Sequence, residues 1–302
     1  MITVFFITLL AFALTSIALL LTQDNSTPII ASSPDEATPN TTVAVASDTQ
    51  LDTSEQNSVT TQVLAQPTPE NSESSTTTNQ TTTTEAVETF ITFSPNEFRD
   101  LFDTSELPGL NDRGLPKAIT GNTSADTHIR SLATTRGYEL QPTPNETLGT
   151  VDGFRLQPRA LVAWQDMVSA ATNDGVDLRL ISGLRLPEIQ QELFIDRLIE
   201  VTTDFDQISS GSFDSEIEEI LDTSAIPGYS KHHTGYAIDI ASESNSLTAF
   251  ETTKGYQWIS TNNFENAKEY GFIPSYPEGA DSQGPLPEPW EYVWVGRDKL
   301  VN

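Results

Sequence analysis

The chain has 302 residues, a net charge of −28, no cysteine and only three histidines. Its length allows one or two domains, and its charge makes nucleic acid and anionic membrane surfaces poor partners. Without cysteine there are no disulfides and no thiolate ligands, so any bound metal has to be held by nitrogen and oxygen.

Residues 1–22 read MITVFFITLLAFALTSIALLLT, and no charged residue precedes Asp24. About 20 apolar residues suffice to cross a bilayer as a helix. The basic start and small-residue exit of a cleaved leader are missing. A retained membrane anchor is therefore expected, with a secreted protein as the outcome if the segment is cut. The positive-inside rule does not orient it, because no Lys or Arg occurs before Arg99. Residues 23–88 are Thr, Ser, Asn, Gln and Pro with scattered acids, as in SSTTTNQTTTTEA. Such a stretch has too little apolar surface to offset its ordering entropy and is expected to be a disordered linker. A flexible tether of this size reaches about 45 Å.

Residues 89–302 are expected to form the folded domain, with its core at about 155–300. This part is acidic in its own right, holding all 15 bases and 32 of the 43 acids from Arg99 onward. PRALVAWQDMVSAATNDG predicts a helix that starts at Pro158 and stops before Gly175, with Leu161, Trp164, Val168 and Ala171 facing a core. VDLRLIS alternates like a half-buried strand. SGLRLPEIQQELFIDRLIEV predicts a turn and a second helix from Pro187, with Ile189, Leu193, Phe194 and Leu198 inward. An acidic insert follows near Asp204–Asp214. SKHHTGYAIDI then runs from a loop into a strand at Tyr236–Ile240. Trp258, Ile259, Phe264, Ala267 and Tyr270 suggest one or two further helices ending at Gly271, and EPWEYVWVG a closing strand. Helices and strands mix without βαβ alternation, and no internal repeat is visible. The fold class is therefore α+β, a small antiparallel sheet with flanking helices.

Two of the three histidines stand side by side in SKHHTGYAIDI, seven residues before an aspartate. On one helix, His232 and Asp239 would lie about 10 Å apart along the axis. That is too far for two ligands that each bind one zinc at about 2 Å. On one unbroken strand an odd spacing points them to opposite faces. Sharing an ion requires a turn between them, and Gly235 offers the place for one. From spacing alone, a satisfied polar histidine is a better reading than a ligand.

SKHHTGYAIDI fits the Ser-x-His-x-x-Gly-x-Ala-x-Asp motif and so resembles the VanY/VanX-type zinc D-alanyl-D-alanine peptidases. SGLRLPEIQQELF resembles that family's Ser-Gly-Tyr-Arg-Ser-x-x-x-Gln stretch, and EPWEYVWVG its Glu-Pro-Trp-His-x-Arg-Tyr-Val-Gly strand. The three blocks follow in order from about Leu156 to Gly296. The resemblance implies the hedgehog-like metallopeptidase fold and a Zn²⁺ cofactor, with Mn²⁺ or another divalent ion as alternatives. It implies His232 and Asp239 as metal ligands and Glu288 as general base. Arg185 would clamp the substrate's terminal carboxylate, with Ser230 and Gln190 as substrate contacts. His233 falls on a variable position and is expected to face solvent or substrate, and the rival role for Arg185 is a structural ion pair with Glu188 or a similar acid. The implied substrates are peptidoglycan stem peptides ending in D-alanine, cut outside the membrane by a monomer.

One departure matters. The third ligand of the family is a histidine, and Glu291 stands in its place, while Val293 and Leu184 replace the family Arg and Tyr. His128 lies far upstream of every motif. A glutamate can ligate zinc, so His232, Asp239 and Glu291 are the expected ligand set. A pseudoenzyme that binds peptidoglycan without cleaving it, and a non-catalytic spacer or adhesion protein, are the alternative readings.

Overall fold

The computed structural model describes residues 88–243 and 246–302, all within one compact unit, Asn79–Asn302. The candidate anchor at 1–22 and the candidate linker, except its last residue, lie outside the described residues. Among those described, no helix is long and apolar enough to cross a membrane.

Two helices precede the segment in which the core was expected. The first, α1 (Pro95–Asp103), starts on a capping box: Ser94 accepts from the Glu97 N–H, and the Glu97 carboxylate accepts from the Ser94 N–H at 2.7 Å. Its Phe98 and Phe102 are buried in the main hydrophobic cluster, so the core draws on residues well upstream of 155. The second, α2 (Thr123–Thr135), is capped by the Asn122 side chain. A short hairpin follows, β1 (Gly149–Val151) with β2 (Phe154–Leu156). Its turn residues Asp152 and Gly153 both have positive φ, as the type I′ turn requires to match strand twist.

The helix α3 (Pro158–Asn173) buries Ala160, Trp164, Met167 and Ala171. Leu161 and Val168 are half-buried at the edge of that stripe, so the inward face is turned slightly from the expected one. After β3 (Arg179–Ser182), α4 (Pro187–Val201) buries Gln190, Phe194 and Leu198, and Ile189 and Leu193 are only half-buried. The acidic insert folds into two short helices, α5 (Phe205–Ser209) and α6 (Asp214–Leu221). With α2 and α4 they enclose a second cluster around Ile129, Phe194, Leu198, Ile217 and Leu221. The last helix, α7 (Lys254–Glu269), breaks at Thr261–Phe264, where Asn262, Asn263 and Phe264 take positive φ. Asn263 holds this break by bonding both the N–H and the carbonyl of Phe93 at 2.9 Å.

The main sheet has four antiparallel strands in the order β3–β4–β6–β5, where β4 is Ala237–Ala241, β5 is Phe272–Pro274 and β6 is Glu291–Trp294. The α+β class expected from the sequence is the one observed. All five residues of β4 are buried, which accounts for the almost unbroken apolar run AIDIA. Asp239 points to the face opposite Ile238 and Ile240, and its cross-strand neighbour on β6 is Glu291. A one-residue slip of β4 would turn the isoleucines toward the acidic face and Asp239 into the hydrophobic cluster, so packing fixes this register.

Candidate metal and carboxylate-binding site

His232 arrives at the sheet on a 3₁₀ turn, Lys231–Thr234, closed by Gly235 with φ +73°. That left-handed residue is the turn which the seven-residue spacing required. The His232 Nε2 lies 3.3 Å from Asp239 Oδ1 and 3.3 Å from Glu291 Oε2. One donor atom from each of the three residues falls within 4.8 Å of the others, and all three side chains are buried. Like charges directly across a strand pair oppose folding. Asp239 facing Glu291 is thus a local conflict, of the kind that marks functional sites.

The donors fit a divalent ion. His232 Nδ1 is 2.7 Å from the Gly183 carbonyl, which can only accept, so Nδ1 donates and Nε2 is aimed at the acids. His232 Nε2 and Asp239 Oδ1 are both buried without a hydrogen-bond partner. Leaving such groups unsatisfied costs about 1–3 kcal/mol each, and more when charged. A cation held by one imidazole and two carboxylates would satisfy them, and the set suits zinc. Glu291 is steadied by Ser275, whose Oγ–H donates to Oε1 at 2.6 Å. Ser275 carried no motif, and its part is visible only in three dimensions. Beneath it, the buried Lys231 donates to the Ser275 carbonyl at 2.9 Å and stands 4.5 Å over the Tyr276 ring.

Protonation in this cluster is strongly uneven. Burial pulls the His232 imidazolium down, but the charges of Asp239 and Glu291 outweigh it and hold the group at about 9. Burial would raise Glu291, yet the positive charge of His232 and hydrogen bonds from Ser275 and Glu288 bring it to about 2. Burial and the negative charges of Glu291 and Asp239 push Glu288 well above the carboxylate range. Glu288 hydrogen-bonds to Glu291, so it holds the proton between them. Paired carboxyl groups driven apart in this way are a signature of acid–base sites.

Arg185 borders the cluster, its Nη2 3.8 Å from Asp239 Oδ2. Its Nη1 donates to Gln190 Oε1 at 3.0 Å, and the Gln190 amide in turn donates to Ser224 Oγ and the Ala225 carbonyl. Glu188, the rival partner, pairs instead with Lys117 at 3.5 Å. Ser230 is buried at the head of the histidine turn, its carbonyl accepting from the His233 N–H at 3.0 Å. His233 corrects an expectation: it faces neither solvent nor an open site. It is 1% exposed, bonded through Nδ1 to the Arg185 carbonyl and through Nε2 to the Gly228 N–H. Burial lowers its pKa to about 4, so it is neutral. His128 lies outside the cluster, paired with Asp214.

Residues 153–297 match the model of the VanY family, D-alanyl-D-alanine carboxypeptidase. A D-alanyl-D-alanine carboxypeptidase of Enterococcus faecalis is 33% identical over 146 residues, covering 48% of this chain and 50% of the relative. A putative carboxypeptidase of Bacillus subtilis, YodJ, is 31% identical over 146 residues, covering 47% of each. The chain thus spans about half the length of the curated relatives it matches. Among solved structures, a zinc complex of a vancomycin-resistance D,D-pentapeptidase VanY variant is 27% identical with a TM-score of 0.40, covering 54% of this chain and 82% of the other. The LdcB LD-carboxypeptidase is 28% identical with a TM-score of 0.39, covering 51% and 65%.

Proposed function

We propose that this domain, whose residues 153–297 match the VanY family model, is a zinc-dependent D-alanyl-D-alanine carboxypeptidase. Its substrates are peptidoglycan stem peptides that end in D-alanine. The observation that carries the proposal is the buried trio His232, Asp239 and Glu291, in which His232 Nε2 and Asp239 Oδ1 converge without hydrogen-bond partners, with Arg185 at its border.

When bound, the ion supplies Lewis acidity, polarising a carbonyl and acidifying a water. Glu288 takes the proton of the attacking water and passes it to the leaving amine. That role needs the ionised form, and Glu288 sheds its proton more readily once a positive ion offsets the neighbouring acids. Arg185 pairs with the free carboxylate of the last residue through its planar fork, which restricts cutting to the chain end. Gln190 keeps the fork in place, and Ser230 contacts the substrate from the histidine turn. Asp239 and Glu291 together cancel the charge of a divalent ion. They make water less acidic than one carboxylate and two imidazoles would, and they leave room for Mn²⁺ in place of zinc. The apolar segment 1–22 anchors the protein and the linker holds the domain on the outer side of the membrane, where its substrate lies.

Purified protein supplied with zinc should release D-alanine from a pentapeptide ending in D-alanyl-D-alanine. Glu288→Ala should lower kcat about 10²–10⁴-fold with zinc still bound. Stoichiometric zinc without any D-alanine release would overturn the hydrolase reading.

A further inference from the structure

The two neighbouring histidines grip one loop from the same side. His232 Nδ1 donates to the Gly183 carbonyl and His233 Nδ1 to the Arg185 carbonyl, each at 2.7 Å. In return, the Arg185 N–H donates to the His232 carbonyl at 3.2 Å. His233 Nε2 accepts from the Gly228 N–H at 3.0 Å, so both ring nitrogens are spent inside the protein. His233 is therefore neither a free base nor a ligand. We propose that His233 is a positioning residue for Arg185: it pins the backbone from which the guanidinium reaches the substrate carboxylate.

Arg185 is fixed at three points: its N–H by His232, its carbonyl by His233 and its Nη1 by Gln190. The first two contacts set where the side chain starts, and the third sets where it ends. A guanidinium that recognises a carboxylate with two parallel bonds depends on such placement, because displacement by about 1 Å can cost 10²-fold. One imidazole thus holds the metal side of the site and its neighbour holds the carboxylate side. This inference rests on the proposed role of Arg185 as the carboxylate clamp.

Two substitutions separate positioning from simple packing. In His233→Asn, the amide nitrogen stands where Nδ1 does and keeps the bond to the Arg185 carbonyl, while the bond to Gly228 is lost. In His233→Gln, the side chain reaches to the Nε2 position and keeps Gly228, while the Arg185 carbonyl is left unpaired. In the zinc-loaded full chain, His233→Gln should raise KM for the pentapeptide about tenfold with kcat within about twofold. His233→Asn should stay near the wild-type KM, and zinc content should be unchanged in both. Combined with Arg185→Ala, the Gln variant should add no further loss, since both act through one interaction. A C-terminally amidated pentapeptide should not distinguish the two variants.

A wild-type KM in His233→Gln, in an enzyme that cuts the pentapeptide, would overturn the inference and leave the hydrolase reading standing. Asn as harmful as Gln would overturn it too, since the Gly228 contact would then be the one that matters. A wild-type protein that binds zinc and cuts no peptide would remove both proposals together.

Discussion

Two histidines among the described residues pair with carboxylates, and the one with the shorter contact is the less consequential. His128 Nε2 lies 2.6 Å from Asp214 Oδ1, with side chains 27% and 43% exposed. His232 stands 3.3 Å from each of two carboxylates, with side chains 1% and 6% exposed. At the surface, water competes for both partners and ordering them costs entropy, so such a pair contributes about 0–1 kcal/mol. In the buried cluster the donors are held by the Gly183 carbonyl, by Ser275 and by strand register, and His232 Nε2 and Asp239 Oδ1 stay unpaired. Unsatisfied burial, more than proximity, marks a place prepared for a third body.

The strongest way to break that contrast is to remove a donor from each pair. Asp239→Ala should weaken zinc binding by at least about 100-fold, measured by competition with a chelator, whereas His128→Ala should leave it unchanged. Equal effects would show that the buried trio is not the metal site. Next in size is Glu291→His, which restores the family's donor. It should increase turnover on the pentapeptide, because a net positive site acidifies water more strongly. A lower rate with zinc retained would show that Ser275 and Lys231 shape the pocket around a carboxylate.

A smaller effect should appear with pH in the metal-free protein. His232 is raised from 6.5 to about 9, so its contribution to stability is full below about 6.5 and lost as pH rises through about 9. Glu291 is lowered from 4.5 to about 2, so its contribution is present above about 4.5 and lost as pH falls through about 2. The melting temperature of metal-free protein should therefore fall between pH 7 and pH 9.5. Zinc needs the neutral imidazole, so uptake at pH 7 should release a proton, measurable by calorimetry in buffers of different ionisation enthalpy. Proton-free uptake would show that His232 is already neutral. The smallest effect belongs to the surface pair: His128→Ala should cost less than about 1 kcal/mol in denaturant unfolding.

Several parts of the site were legible in the residues alone. The odd spacing from His232 to Asp239 demanded a turn, and Gly235 is left-handed at that place. The apolar run around Asp239 is the fully buried central strand. Legibility failed where the signal was spread over distant segments. The inward faces of α3 and α4 came out slightly rotated, because half-buried Leu161 and Ile189 look like core residues in a periodic pattern. His233 resembled an exposed neighbour because its two partners, Arg185 and Gly228, come from loops outside its own turn.

Local order of residues thus determined the α+β class and the strand–turn signature of the histidine block, because period, glycine and polar type are properties of short windows, while the candidate donors were named by the resemblance of three short motif blocks. Tertiary structure alone decided that Asp239 faces Glu291, that Ser275 and Lys231 support that pair, and that His233 turns inward onto Arg185. Those facts depend on strand register and on groups many residues apart meeting in a dry interior. There a carbonyl or hydroxyl with no local signature becomes the partner that fixes the chemistry.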